Sequence, residues 1–81
     1  MTVVFAEGLP EIFEELPDTV QREAAHSIKL LTIYPYMYPL RRRGLMRGYR
    51  YFIAGRYLFY YSAATAEIRL TAIIPAAMHL A

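Results

Sequence analysis

The chain contains no cysteine, which rules out disulfide staples and thiolate metal sites alike. Its two histidines, His26 and His79, stand far apart and do not by themselves make a zinc set. No stretch approaches the roughly 20 consecutive apolar residues that a membrane-spanning helix needs. Long uncharged runs, such as Leu30 to Leu40, are broken by prolines. The start, Met1-Thr2-Val3, lacks the basic region of a signal peptide and meets Glu7 early, so the chain reads as cytoplasmic, with no membrane partner. Carboxylates are also scarce over most of its length. After residue 28 there is one acid, Glu67.

What is present is apolar and unevenly charged. At 81 residues the chain is one domain, residues 1–81, of a size that buries only about 60% of its unfolded surface. With neither disulfides nor metals to staple it, oligomerisation (a homodimer, for instance) or a tight partner is the expected supplement to the core. A hydrophobic content of 57% points the same way, because surplus apolar surface marks an interface. Residues 1–28 carry six acids (Glu7, Glu11, Glu14, Glu15, Asp18, Glu23) against Arg22, a net of −5. Residues 29–81 carry eight bases against Glu67, a net of +7. Either the basic part meets a polyanion, or the two parts attract each other.

Val3-Val4-Phe5 is a short β-prone start. Leu9, Ile12, Phe13 and Leu16 then form one apolar stripe at helical spacing, with Pro10 in the first turn, where a missing N–H costs nothing. Pro17 ends that helix. Asp18-Thr19-Val20-Gln21 has the pattern of a capping box, with Asp18 as N-cap, and Val20, Ala24, Ile28 and Leu31 continue as a second stripe. His26 lies off it. Residues 34–39, with two prolines and three tyrosines, read as an ordered loop. From there the period changes to two, with strands expected over Tyr49–Ile53, Tyr57–Tyr61 and Ile68–Ile74. The expected fold is α+β, in the order β-α-α-β-β-β: a helical hairpin packed on one face of a small, mainly antiparallel sheet.

In the last strand Ile68, Leu70, Ala72 and Ile74 alternate with more polar positions and are expected under the helices. Matching faces across the hairpins adds Tyr49, Tyr51, Ile53, Leu58 and Tyr60 to that side. The other side would then hold Arg50, Phe52, Tyr57, Phe59, Tyr61, Arg69 and Thr71, an aromatic and basic surface without acids. A register slip of one residue would invert both sets. Arg41-Arg42-Arg43, with Arg47 nearby, extends the basic surface, either as a nucleic-acid or partner contact or as a solvated loop.

This order of elements resembles the RelE/ParE toxin superfamily (the plasmid stabilisation family) of type II toxin–antitoxin modules. Leu40-Arg41 leads into Gly48-Tyr49-Arg50-Tyr51-Phe52, and then into Gly55-Arg56-Tyr57-Leu58-Phe59-Tyr60-Tyr61. The N-terminal part is similar too, with Phe5-Ala6-Glu7 before a short helix, Leu16-Pro17-Asp18 at the corner and Ile33-Tyr34-Pro35 after the second helix. The resemblance implies one of two activities. RelE-like members are mRNA interferases, cutting mRNA on the ribosome without a metal or other cofactor, and ParE-like members are DNA gyrase inhibitors. A cognate antitoxin protein restrains both.

In the nuclease chemistry the 2′-OH of the RNA attacks the neighbouring phosphate. The protein positions the strand, stabilises the growing charge and moves a proton. By position, Arg50 matches a basic residue of the family's second strand. Tyr57 stands where RelE-like nucleases carry a third-strand arginine, with Arg56 adjacent. Phe52 replaces a lysine, Ala77 falls near a further arginine position, and the tail lacks the family's tyrosine. His79 is the one tail group able to transfer a proton near neutral pH. The expected catalytic set is therefore Arg50, Arg56, Tyr57 and His79, and the expected contact surface Arg41, Arg42, Arg43, Arg47, Phe52, Phe59, Tyr61 and Arg69. A toxin fold without catalytic residues, serving as a protein- or nucleic-acid-binding module, is the alternative.

Overall fold

A computed structural model describes residues 1–79, the side chain of His79 excepted. The element order is β1 (Thr2–Phe5), α1 (Leu9–Glu14), α2 (Asp18–Leu31), β2 (Arg50–Ala54), β3 (Tyr57–Ala63), β4 (Glu67–Pro75) and a 3-10 turn (Ala76–His79). The four strands form one sheet in the order β1-β4-β3-β2. β2 with β3 and β3 with β4 are antiparallel hairpin partners, and β1 lies parallel to β4 at the edge. The β-α-α-β-β-β architecture expected from the sequence is thus the one observed. Among the described residues no helix is long and apolar enough to cross a membrane.

The helical stripes do what their spacing demands. Leu9 and Leu16 from the α1 region, and Val20, Ala24 and Leu31 from α2, are buried in one cluster with Phe52, Ala54, Phe59, Tyr61, Ile68 and Leu70. Phe13 joins its edge, meeting Phe5 and Phe59 edge-on with ring centroids at 6.0 and 6.3 Å. Ile12 does not join it and stays 46% exposed. The corner between the helices differs from the expected capping box. Pro17, not Asp18, is the N-cap, and no side chain caps the helix. Gln21 instead reaches back over the corner, its Nε2 donating to the carbonyls of Glu14 (3.1 Å) and Leu16 (2.9 Å). It thereby satisfies carbonyls that the end of α1 leaves without helical partners.

A larger correction concerns the faces of the sheet. Phe52, Phe59 and Tyr61, expected to look outward, are 2%, 0% and 0% exposed and sit under the helices. Tyr51, Ile53, Leu58 and Tyr60 alternate to the far side. The cause is a β-bulge. Tyr60 pairs with Ala72 but Tyr61 pairs with Leu70, leaving Thr71 as an extra residue in β4. Ile68 and Leu70 therefore face the helices as expected, whereas beyond the bulge Ile73 takes that side and Ala72 and Ile74 turn away. Strict alternation carried through Thr71 reverses the second half of β4, and matching from that half reverses β2 and β3 as well.

α2 is pinned to the β2–β3 turn. Gly55, at φ +59°, approaches so closely that a Cβ there would stand 2.6 Å from Val20 Cγ2. Its N–H donates to Glu23 Oε2 at 3.1 Å. The α1–α2 corner consequently lies toward the Gly55 end of the sheet, and α2 runs toward the end where β2 begins.

Candidate functional site

Residues 34–48 cross the end of the sheet where β2 begins, and two short segments within them hold different side chains. The first, residues 34–39, is held by Arg50 and Tyr61, which reach into it, and by its own Tyr38, which reaches out. Arg50 opens β2 on the helix-facing side, and its Nη1 donates to the carbonyls of Tyr38 (2.7 Å) and Tyr36 (3.3 Å). Its Cζ also lies 5.1 Å from the centre of the Tyr36 ring, a cation–π contact. Tyr61, opposite Arg50 in the register, donates its hydroxyl to the Pro35 carbonyl at 2.9 Å. Tyr38 packs its ring on Phe52 at 5.5 Å and directs its hydroxyl to Ser27 Oγ at 3.5 Å. Burial raises the Tyr61 phenol to about 12, against the opposing pull of Arg50 and the Tyr38 backbone. These contacts tie the loop to α2, β2 and β3. Ile33, Tyr34, Tyr36 and Met37 are left displayed on its outside.

The second segment, residues 40–48, closes on itself. Leu40 bridges to Arg50, Arg41 N–H donates to the Tyr49 carbonyl at 2.7 Å, and Gly48 N–H donates to the Arg41 carbonyl at 2.9 Å. Gly44 and Gly48 both adopt positive φ, 82° and 91°, which gives glycine its place in these turns. Arg42, Arg43 and Arg47 are exposed, and so is the whole of Leu45 at the apex. Leu40, Arg41, Arg42, Arg43 and Tyr51 line a hollow of about 250 Å³ beside the loop. The Tyr51 ring stands against that of Tyr60, 5.6 Å between centroids, and Tyr60 is fully buried. Burial raises the Tyr60 phenol, opposed by the charge of Arg41.

At the other end of the sheet, Gly55, Arg56, Tyr57, Pro75, Ala76 and Ala77 enclose a cleft of about 470 Å³ between the β2–β3 turn and the 3-10 turn. The Ala76 N–H donates to the Arg56 carbonyl at 2.8 Å and joins the two turns. Arg56 is the charged residue of its lining.

The expected catalytic residues thus divide. Arg56 and Tyr57 share the cleft. Arg50 does not join them, being at the opposite end of β2. The role expected of the fourth, His79, falls on a side chain that lies outside those described. Of the expected contact surface, Arg41, Arg42, Arg43 and Arg47 form one basic loop. Phe52, Phe59 and Tyr61 belong to the core, and Arg69 pairs with Glu67 at 3.2 Å. That is the one ion pair among the described residues, so the acidic and basic parts of the chain do not neutralise each other internally. Among the described residues no cluster of His, Asp and Glu could hold a metal.

Two features escaped the sequence reading. Tyr51 lines an outer hollow although alternation through the bulge assigned it to the core. Leu45 stands at the apex of the basic loop, signalled only by its place between arginines and glycines in Arg43-Gly44-Leu45-Met46-Arg47-Gly48. No protein-family model matches the chain, and no curated protein matches it.

Proposed function

We propose that the protein is the toxin of a type II toxin–antitoxin module of the RelE/ParE kind, restrained by a cognate antitoxin, and that it acts by gripping its target rather than by cutting RNA. The β-α-α-β-β-β order and the resemblance carried by residues 40–61 support the toxin reading. The engagement of Arg50 is the observation that favours gripping over cutting. A guanidinium that stabilises a phosphate in the transition state must have donors to offer. The Nη1 of Arg50 is taken up by two loop carbonyls and its Cζ lies by the Tyr36 ring, so the side chain is held as a strut of the loop with only Nε and Nη2 left to offer. The exposed side chains that remain, Arg42, Arg43 and Arg47 with Leu45, Tyr34, Tyr36 and Met37, have the composition of an interface, where arginine and aromatic residues concentrate binding energy. DNA gyrase is the target this reading names, and the ribosome with its mRNA is the one it sets aside.

Expression of the chain alone is expected to arrest growth, and co-expression of the product of an adjacent short reading frame to relieve it. Purified protein is expected to inhibit gyrase supercoiling, with no new mRNA ends on stalled ribosomes. Normal growth with soluble protein present would remove the toxin reading and leave a binding module of toxin fold. New mRNA ends within codons would remove the gripping mechanism and restore the nuclease.

A further inference from the structure

The basic loop and the acid-rich corner lie at opposite ends of the same molecule. The loop adjoins the first residue of β2, where Leu40 bridges to Arg50. The corner lies toward the Gly55 turn beyond the last residue of β2, because Val20 and Glu23 near the start of α2 both meet Gly55. Each end displays an apolar side chain among like charges. At the loop this is Leu45, fully exposed among Arg42, Arg43 and Arg47. At the corner it is Ile12, 46% exposed among Glu11, Glu14 and Glu15, with Asp18 close by in sequence. Arg22 and Arg56 also belong to that end and leave it acidic on balance against Glu11, Glu14, Glu15, Asp18 and Glu23.

We propose that the Arg42–Arg43–Leu45–Arg47 loop is a docking face for the acidic α1–α2 corner of a second copy, so that chains associate head to tail. Charge complementarity selects this occupant. Two loops, or two corners, brought face to face would repel, which excludes a contact of either surface with its own copy. Within one molecule no ion pair joins the loop to the corner, so both sets of charges remain available to another copy. The loop is ready to dock because its turn is fixed by backbone hydrogen bonds, including Arg47 N–H to the Gly44 carbonyl and Tyr49 N–H to the Met46 carbonyl. A contact built on one apolar side chain from each side within a charged rim is transient and salt-sensitive. The contact does not depend on the toxin reading, since it concerns the isolated chain alone.

Sedimentation of the purified full chain tests it. At about 20 mM salt the weight-average mass is expected to rise above the 9.4 kDa monomer with concentration, and to fall back at about 500 mM, where charges are screened within a few ångströms. Arg42→Gln/Arg43→Gln and Glu14→Gln/Glu15→Gln change exposed side chains only, and circular dichroism checks that both retain the fold. Each is expected to weaken self-association about tenfold or more on its own. Mixed in equal amounts they are expected to form a dimer and nothing larger, because one supplies an intact corner and the other an intact loop. Leu45→Ser is expected to weaken association at every salt concentration. A chain that stays monomeric at low salt overturns the proposal, even if it binds an oligonucleotide or an acidic peptide through the loop. So does a mixture that fails to pair, or association that survives these substitutions.

Discussion

The phenol of Tyr61 is wholly enclosed, donates to the Pro35 carbonyl and stands opposite Arg50 in the β2–β3 register. Burial favours its neutral form, so the folded protein holds that proton up to about pH 12, while the unfolded chain releases it near the ordinary value of 10.0. The folded-state value is the higher one, so the contribution to stability is complete below pH 10 and is lost as pH rises toward 12. A shift of that size corresponds to about 2 to 3 kcal/mol. Urea midpoints measured from pH 8 to pH 11.5 are expected to be level at first and then to fall steeply. Tyr61→Phe should lower the stability at pH 8 by about 1 kcal/mol through the lost hydrogen bond, and should flatten the alkaline fall without abolishing it, since Tyr60 is shifted in the same direction. Arg50 shows why single residues are hard to read from sequence. Its partners are main-chain carbonyls twelve and fourteen positions away, and carbonyls leave no trace in a residue pattern.

Elements were far more legible than residues. The stripe Val20, Ala24, Ile28, Leu31 announces α2 because its polar remainder cannot enter a core, and three alternating runs announce the hairpins. The bulge was invisible because Thr71 suits a strand as well as any neighbour, yet its extra residue decides which aromatic side chains are buried. Phe52, Phe59 and Tyr61 were therefore misassigned to the surface by one residue of register. The contact between α2 and the β2–β3 turn makes a test at this scale. Gly55→Ala would place a methyl against Val20 Cγ2 in a backbone conformation that side chains resist, and is expected to cost about 2 kcal/mol or more. Combined with Val20→Ala, which removes the clashing methyls, the loss should be smaller than the sum of the two single losses. Additive losses in thermal or urea unfolding would mean that the turn and the helix do not press on each other.

The whole molecule, 31 × 29 × 22 Å, keeps its opposite charges apart. Exposed charges without partners contribute little to folding, so the arginine substitutions at 42 and 43 should change stability by less than about 0.5 kcal/mol. Equal urea midpoints for that variant and the parent chain would verify this. The separation was visible in the sequence as a net −5 followed by a net +7, but whether the two parts met could be learned only from their positions.

The placement of β1 also bears on the order in which the chain assembles. Both hairpins join neighbours in sequence, but Thr2 to Phe5 pair with Glu67 to Leu70, at the far side of the helices and two other strands. Closing so large a loop is entropically expensive and is rewarded only when β4 is already in place. β1 should therefore dock after the barrier has been crossed, as the last strand home. Val3→Ala, which trims a side chain at the margin of the core, is then expected to hasten unfolding in stopped-flow experiments and to leave the refolding rate nearly unchanged. Until that late step Val3, Val4 and Phe5 have no strand to pair with, and an apolar β-prone segment in that state invites pairing with another unfinished chain.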